Sequence, residues 1–436
     1  MIRTLLTVSL SIFFCYSNAQ QKILFPPIAT SSTPEAAGFS SERLKRMDNF
    51  LQQYVDSSWF NGAVALIIRD NKIAYYKAFG NNDTDKKLPL EKDAIFRIAS
   101  QTKAITSVAA MMLYEEGKFL LDDPIANYIP EFKNTKVLDK FNAADSSYTT
   151  VPAKREITIR DLLTHTSGIG YAQIGSPEAN AIYGKAGIVG GLGVEKIVLA
   201  DKMKLLGSMP LFHQPGEKWT YGLNTDLLGY LVEVVSGLSL DKFLSTRIFQ
   251  PLGMKDTYFY LPKEKHSRLV NLYTEDKNTG KAIMMEETIS INGKFNRDYP
   301  KMDGTYYSGG AGLSSTIYDY AIFLQMLLND GAYNGKRLLS RNTVRMMTMN
   351  QIGEMGTWPG NTTSKFGLGF GITTETGSAR IPTPEGVYDW GGMFATTYWV
   401  DPKEKMVALV YRNIWPTSHW SFSDKFKVMV YQAIAD

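Results

Sequence analysis

The stretch Phe96-Arg97-Ile98-Ala99-Ser100-Gln101-Thr102-Lys103 leads directly into a helical run from Ala104 to Glu116. On a helix, residues three apart lie on one face with their Cβ atoms about 5–6 Å apart, so the Lys103 amine can reach the Ser100 hydroxyl. A serine hydroxyl is a weak nucleophile until a neighbouring base takes its proton. The first helical turn also offers N–H groups and a dipole that favour developing negative charge. The pattern therefore indicates Ser100 as a candidate nucleophile.

The same spacing occurs a second time, in Ser239-Leu240-Asp241-Lys242. Ser239 follows Gly237 and begins a new helical run, where serine is a favoured N-cap and the lysine faces water. We therefore interpret Ser239 as a cap. Ser100 could equally be an N-cap, so the spacing alone does not decide between catalysis and capping.

Three further stretches follow the first in a fixed order. They are Ile157-Thr158-Ile159-Arg160-Asp161-Leu162-Leu163-Thr164-His165-Thr166-Ser167-Gly168, Pro215-Gly216-Glu217-Lys218-Trp219-Thr220-Tyr221 and Ser308-Gly309-Gly310-Ala311-Gly312-Leu313-Ser314-Ser315-Thr316. Together with residues 96–103 they resemble the superfamily of class C β-lactamases, penicillin-binding carboxypeptidases and family VIII esterases, from about residue 40 to the C-terminus. The resemblance implies an α+β, β-lactamase/transpeptidase-like fold, in which N- and C-terminal helices flank an antiparallel sheet that carries an inserted all-helical subdomain.

Apolar periodicity supports elements of this kind at both ends of the chain. A helical spacing follows Ser40-Ser41, two β-branched and aromatic runs lie at 63–68 and 73–79 around Asp70-Asn71, and strand-like runs return at 387–390, 396–400 and 406–411 before a last helix. The domain prediction is a signal peptide at 1–19, a leader at 20–39, a sheet subdomain at 40–95 and 305–436, and an inserted helical subdomain at 96–304.

The resemblance also implies roles for particular residues. Tyr221 takes the place of the tyrosine that faces the serine in this superfamily. A free tyrosine has a pKa near 10, so it needs a neighbouring cation such as Lys103 to accept a proton near neutral pH. Which of the two is the base stays open. The oxyanion of a tetrahedral intermediate would be bound by the N–H groups of Ser100 and Met393.

Two departures from the lactamase pattern bear on the substrate. The asparagine expected two residues after the tyrosine is replaced by Leu223, and Asn224 follows one residue later. An N-cap role for Asn224 competes with a hydrogen bond to Lys103 and a place among the substrate-binding residues. Trp390-Gly391-Gly392 takes the place of a Lys-Thr-Gly or His-containing strand triad. In the penicillin-recognising members, the cationic side chain of this triad helps to hold the substrate carboxylate. A tryptophan at that place, as in this chain, resembles the pattern of the esterase branch. Glycines there would let a substrate lie close to the strand.

The N-terminus and the composition limit the possible compartments and partners. Arg3, an apolar run from Leu5 to Phe14 and small residues up to Ala19 predict a signal peptide, hence export to the periplasm or beyond. The apolar run is shorter than a membrane span needs. Cys15 lies inside this segment, so the mature chain would carry no disulfide or thiolate site. A net charge of +4 without a dense basic run gives no reason to expect nucleic-acid binding.

Other catalytic classes lack their usual patterns. The sequence has no Gly-x-Ser-x-Gly pentad, and His165, His213, His266 and His419 are scattered without a metal-binding pattern. We therefore expect a serine hydrolase that acts on a small ester or amide, preferring apolar or aromatic esters, without metal or cofactor. The alternatives are a D-Ala-D-Ala carboxypeptidase or β-lactamase, and a non-catalytic binding protein of the same fold. Acyl transfer to a second alcohol and the oligomeric state stay open.

Overall fold

The computed structural model describes residues 25–193, 196–290, 294–358 and 360–436. The predicted signal peptide therefore lies outside the described residues, and the predicted leader is described from Phe25 onward. Within these ranges, no helix has the length and apolar character needed to cross a membrane.

The strands are short except in the central sheet. They are β1 Gly62–Arg69, β2 Lys72–Asp83, β3 Leu88–Pro89, β4 Ile95–Arg97, β5 Lys136–Phe141, β6 Tyr148–Pro152, β7 Tyr273–Glu275, β8 Ala282–Met284, β9 Thr288–Ser290, β10 Lys294–Asn296, β11 Ser314–Thr316, β12 Ala332–Tyr333, β13 Lys336–Arg337, β14 Ser364–Phe366, β15 Gly371–Thr373, β16 Tyr388–Gly392, β17 Thr396–Asp401 and β18 Met406–Tyr411.

The α-helices lie before, between and after these strands. They are α1 Ser41–Asp56, α2 Thr102–Glu115, α3 Ile159–Thr164, α4 Pro177–Lys185, α5 Leu199–Gly207, α6 Asn224–Ser236, α7 Leu240–Leu244, α8 Gln250–Leu252, α9 Ile317–Leu328, α10 Arg341–Met347, α11 Glu375–Ser378 and α12 Phe422–Tyr431. A 3-10 turn at Ala99–Gln101 precedes α2, and a π-helical segment at Ser245–Phe249 separates α7 from α8.

Among the described residues, eight strands form one antiparallel sheet in the order β14-β15-β16-β17-β18-β1-β2-β3. The predicted hairpin is β1–β2, and its turn residues Asp70 and Asn71 both have positive φ, at 49° and 61°. Tight hairpin turns of this kind match the right-handed twist of the strands. The C-terminal runs predicted as strands are β16, β17 and β18, which join the first hairpin through the pairing of β18 with β1.

Both faces of the sheet are covered. In β1, Val64, Leu66 and Ile68 belong to the larger apolar core, which also contains α2 and α9. Ala63, Ala65 and Ile67 point the other way, into the core formed by α1 and α12. Successive side chains of a strand alternate between faces, so a strand buried on both sides reads as one continuous apolar run. This explains why β1 has no polar alternation in its sequence.

The segment at 96–304, predicted as the inserted helical subdomain, contains helices α2 to α8. It also contains the two-stranded hairpins β5–β6, β7–β8 and β9–β10, which the sequence analysis did not predict. The predicted domain boundaries stay a prediction. For the site, the decisive contacts are the pairing of β4 with β11 and the packing of β16 against the Ala99–Gln101 turn.

Candidate active site

Ser100 lies in the 3-10 turn that joins β4 to α2. Strand β4 ends just before this turn at Arg97, whose fully buried guanidinium donates to the Val270 carbonyl at 2.6 Å and to Asn413 Oδ1 at 3.1 Å. Ala99, directly before the serine, has φ 43°, a left-handed conformation that is costly for a residue with a Cβ atom. The N-cap of α2 is Gln101, without a side-chain cap bond. The Ser100 hydroxyl is therefore not used as a cap.

The side chain of Lys103 is almost fully buried, with 2% of its surface exposed. Its ammonium donates to the Gly310 carbonyl at 2.7 Å, to the Tyr171 hydroxyl at 3.1 Å and to Ser100 Oγ at 3.4 Å. It also lies 4.7 Å from the centroid of the Tyr221 ring. The structure thus brings Ser100, Lys103 and Tyr221 together, as the sequence predicted.

The charge of Lys103 is maintained by the phenols around it. Burial on its own would lower the pKa of Lys103, but the phenols of Tyr171 and Tyr221 outweigh burial and raise that pKa above its usual value. Lys103 is therefore an ammonium at neutral pH. A buried cation stabilises a neighbouring phenolate or alkoxide, since a nearby opposite charge favours the ionised form of an acidic group.

Tyr171 was missed by the sequence analysis. Burial raises the pKa of Tyr171 above its usual value, although the charge of Lys103 acts in the opposite direction. The phenol is therefore neutral, and its oxygen accepts the hydrogen bond from Lys103. The residue lies three positions beyond the family-like stretch that ends at Gly168, and it is one of 24 tyrosines, so the sequence contained no signal to single it out.

Asp226 is a second residue of the site that the sequence analysis did not identify. It lies in the first turn of α6 with 1% of its surface exposed, and its Oδ1 accepts a 2.6 Å hydrogen bond from Ser308. Burial raises the pKa of its carboxyl, while the Ser308 bond and the Lys103 charge lower it. Gly310 separates Asp226 from Lys103, because a Cβ atom at position 310 would clash with Asp226 Oδ2 and lie 3.5 Å from Lys103 Nζ.

Gly310→Ala is expected to lower kcat for any substrate by about 10- to 100-fold, because the added methyl group collides with Asp226 Oδ2 and the displaced carboxylate and position 310 disturb the surroundings of Lys103. Steady-state kinetics on the purified variant measure this loss. Gly309→Ala is a poor control because its added Cβ atom would collide with the backbone carbonyl of Thr225. Gly237→Ala is the control, because its added Cβ atom has no neighbour within 4 Å and its φ of 71° tests backbone strain alone. Full activity of Gly310→Ala would contradict the expected collision.

Asn224 does not reach Lys103 through its amide. Its side chain is fully buried, its Oδ1 accepts from Ser167 Oγ, and its Nδ2 lies 3.0 Å from His165 Nδ1. Helix α6 begins at Asn224 itself, with Leu223 as the N-cap residue, so the capping alternative is wrong as well. The amide ties the segment after α3 to the start of α6. Its role in substrate binding stays a prediction that this geometry does not support.

His165, whose Nδ1 lies next to Asn224 Nδ2, packs against Tyr221, with 5.1 Å between the two ring centroids. Burial, and to a smaller extent the charge of Lys103, hold the pKa of His165 well below its usual value. The imidazole is therefore neutral at physiological pH. It supports Tyr221 by packing.

The stretch predicted as substrate-binding forms the end of β16. Trp390, Gly391 and Gly392 are all partly exposed, and a Cβ atom on Gly392 would clash with the carbonyl of Ile98 and with Thr396 Oγ1. The strand therefore lies close against the turn that carries Ser100 only because position 392 is a glycine. Met393 follows directly and packs against the apolar cluster that contains Ala99 of this turn. The assignment of the Ser100 and Met393 N–H groups to an oxyanion hole stays a prediction.

A cavity of about 520 Å³ lies beside the phenols of Tyr171 and Tyr221. Tyr171 and Tyr221 line this cavity, and Leu138, Phe141 and Phe212 contribute apolar side chains to its walls. Ligand pockets usually have volumes of about 300–1,000 Å³. A group bound there would contact both phenols that surround Lys103.

The second Ser-x-x-Lys tetrad behaves as a helix start. Ser239 accepts a hydrogen bond from the Lys242 backbone N–H, and the Lys242 side chain is exposed. The N-cap interpretation of Ser239 is confirmed.

Within the part of the chain that the structure describes, no group of three or more His, Cys, Asp or Glu residues is arranged to hold a metal ion.

Comparisons with known proteins agree with this geometry. The model of the Beta-lactamase family matches residues 47–425. A putative D-alanyl-D-alanine carboxypeptidase of Escherichia coli K12 is 30% identical over 434 residues, covering 95% of this chain and 91% of the relative. Esterase EstB of Burkholderia gladioli is 29% identical over 398 residues, covering 88% and 94%. Among solved structures, EstCE1, a hydrolase with promiscuous acyltransferase activity, has a TM-score of 0.77 at 24% identity, covering 89% of this chain and 98% of that one.

The fold is thus β-lactamase/transpeptidase-like, an α+β arrangement of helices around an antiparallel sheet. The chain belongs to the Beta-lactamase family. It is a serine hydrolase of that family, with both esterases and carboxypeptidases among its named relatives.

Proposed function

We propose that the protein hydrolyses carboxylic esters through an acyl-enzyme at Ser100. The observation that carries the proposal is the position of the Ser100 hydroxyl, 3.4 Å from a buried ammonium that two phenols surround. Such an arrangement provides a nucleophile, a proton acceptor and a cation that stabilises the charged forms of both. No cofactor takes part in this chemistry.

The reaction begins when Ser100 Oγ forms a bond to the ester carbonyl carbon. Its proton passes to the Tyr221–Lys103 pair, and the carbonyl electron pair moves onto the oxygen, where N–H donors stabilise the oxyanion. The intermediate then collapses, the bond from carbon to the leaving alcohol breaks, and the pair returns the proton to the leaving oxygen. Water then attacks the carbonyl carbon of the acyl-enzyme and passes its proton to the pair. The bond from carbon to Ser100 Oγ breaks, and the pair returns the proton to Ser100. A second alcohol that took the place of water would give acyl transfer.

The position of Trp390 favours esters over β-lactams and D-Ala-D-Ala peptides. A substrate with a carboxylate next to the scissile bond is expected to need a cation at this strand, and a partly buried indole offers none. A hydrogen bond to a charged group contributes about 1.5–3 kcal/mol, so its absence should cost such substrates about 10- to 100-fold. The named function of esterase EstB, at 29% identity, points in the same direction.

Steady-state hydrolysis of p-nitrophenyl acetate and p-nitrophenyl butyrate, measured beside nitrocefin on the mature protein, tests the choice of substrate. We expect ester turnover and little nitrocefin turnover. Nitrocefin hydrolysis with a kcat/KM equal to or above that of the esters would assign the protein to the β-lactamase branch. Release of D-alanine from a D-Ala-D-Ala peptide would assign it to the carboxypeptidase branch.

The alternative of a non-catalytic binding protein requires a separate measurement. A fluorophosphonate probe forms a covalent bond only with an activated serine. We expect labelling of the native protein at Ser100, because its hydroxyl lies next to the Lys103 ammonium and is not used as a helix cap. Absence of labelling together with absence of ester turnover would support the binding protein. Export to the periplasm or beyond is part of the proposal and rests on the apolar run at residues 5–14 of the predicted signal peptide.

A further inference from the structure

A cluster of aromatic rings covers one side of the site. Its buried base consists of Trp219 and Phe366. Above the base lie three partly exposed rings, those of Tyr221, Trp358 and Trp390, which together are called the aromatic wall. The first and the last of these were expected from the sequence to border the site. Trp358 comes from the segment between α10 and β14, for which the sequence analysis predicted no role.

The three rings of the aromatic wall are in contact through Tyr221. The Trp358 ring centroid lies 5.8 Å from that of Tyr221 with an interplanar angle of 52°, and Trp390 lies 5.7 Å from Tyr221 at 44°. These separations are typical of favourable aromatic pairs. Since Lys103 Nζ is 4.7 Å from the Tyr221 centroid, the wall begins at the reacting groups and extends outward to Trp358.

Trp358 is held in this position from two sides. Its ring meets that of Trp219 edge-on at 4.8 Å. The backbone around it is fixed by Asn361, whose N–H donates to the Trp358 carbonyl at 2.9 Å and whose Nδ2 donates to Thr357 Oγ1 and Ser364 Oγ, both at 3.0 Å. The indole is nevertheless 49% exposed. A fixed aromatic ring with an open face, next to the catalytic groups, is suited to bind a ligand because little side-chain entropy is lost.

We propose that Trp358 is a specificity-determining residue, whose open face binds a planar aromatic group of the substrate together with Tyr221 and Trp390. This inference rests on the proposed esterase function and specifies its substrate class as esters with an aromatic ring in the acyl or the alcohol part. A flat ring can approach the wall face-on or edge-on along its whole area. A saturated ring of equal carbon number is puckered and lacks the quadrupole that makes aromatic pairs favourable.

The test compares esters that differ only in this ring. Methyl phenylacetate and methyl cyclohexylacetate place it in the acyl part, whereas benzyl acetate and cyclohexylmethyl acetate place it in the alcohol part. Hydrolysis is followed by pH-stat titration. For one of the two pairs, we expect Trp358→Ala to lower kcat/KM for the aromatic ester by about 10-fold, mainly through KM, and for the saturated ester by no more than about 2-fold. Trp358→Phe should keep most of the preference.

Trp420→Ala is the matched control, because this indole is 72% exposed and precedes α12, outside the aromatic wall. It should leave all four substrates unchanged. An equal loss for aromatic and saturated esters in Trp358→Ala, or no loss for either pair, would overturn the inference.

A binding measurement separates this inference from the proposed function. In Ser100→Ala, where turnover is not expected, isothermal titration calorimetry should show tighter binding of methyl phenylacetate or benzyl acetate than of the saturated analogue. That preference should disappear when Trp358→Ala is added. Loss of ester turnover in the native protein would overturn the proposed function, and equal affinity for aromatic and saturated analogues in Ser100→Ala would overturn the role of Trp358.

Discussion

Ser100→Ala is expected to lower kcat for ester hydrolysis by at least about 10⁴-fold, because the variant has no nucleophile to form the acyl-enzyme. The loss should occur without unfolding. Ser100 does not cap α2, and the hydrogen bond between its hydroxyl and Lys103 is long, at 3.4 Å. Thermal unfolding of the variant should therefore show a free energy of unfolding within about 1 kcal/mol of the native value.

Ser239→Ala gives the matched comparison, since Ser239 has the same spacing to a lysine but caps α7. It should keep full activity and lose about 1 kcal/mol of stability, the usual cost of removing an N-cap. The two variants thus have opposite expected effects. Ester turnover that survived in Ser100→Ala, or a fluorophosphonate adduct mapped by mass spectrometry to another residue, would overturn the assignment of the nucleophile.

Much of the fold follows from local sequence patterns. The β1–β2 hairpin could be predicted because the Asp70-Asn71 pair tolerates the positive φ of a tight turn between two runs suited to strands. Helix α1 could be predicted because its buried residues recur at helical spacing. The order of strands across the sheet, with β18 beside β1, has no local cause and was not predicted.

The site was predictable only where its residues are close in sequence or aligned with a family stretch. Ser100 and Lys103 are separated by one helical turn, so their contact follows from helix geometry. Tyr171 and Asp226 are brought to Lys103 by the packing of segments that are distant along the chain. Buried polar residues of this kind resemble ordinary core or helix-start residues in the sequence.

Asn224 shows how a displacement of one residue changes the role of a side chain. Because an α-helix turns by about 100° per residue, an asparagine moved by one position faces a different neighbour. In this chain the amide faces His165 and Ser167 instead of Lys103. The lactamase pattern therefore could not be transferred by residue type alone.

The two phenols around Lys103, those of Tyr171 and Tyr221, have the same chemistry but different surroundings, so we expect their removal to have different effects on kcat. Tyr221→Phe is expected to lower kcat by about 10²- to 10⁴-fold with KM within about 3-fold, the range usual for loss of a general acid–base group. Tyr171→Phe should cost no more than about 10-fold. Burial raises the pKa of Tyr171, so this phenol keeps its proton and serves as a hydrogen-bond acceptor for Lys103.

The pH dependence of Tyr171→Phe distinguishes positioning from proton transfer. Tyr171 is one of the two phenols that raise the pKa of Lys103, so its removal lets Lys103 lose its proton at lower pH. The cation beside the Tyr221 ring then loses its charge earlier on the alkaline side. We expect the alkaline limb of the kcat–pH profile to move to lower pH in Tyr171→Phe. Stopped-flow or steady-state rates over the accessible pH range measure this shift.

The relative size of the two losses identifies the proton acceptor. A fall in kcat for Tyr171→Phe as large as that for Tyr221→Phe would mean that both phenols share the proton. A larger fall for Tyr171→Phe would make Tyr171 the proton acceptor and Tyr221 the residue that positions Lys103. If neither variant lost more than about 10-fold, Lys103 would be left as the base, although its raised pKa argues that it is charged in the resting enzyme. Because phenylalanine preserves both rings and their packing, each loss reports on one hydroxyl group, and the comparison answers which group moves the proton of Ser100.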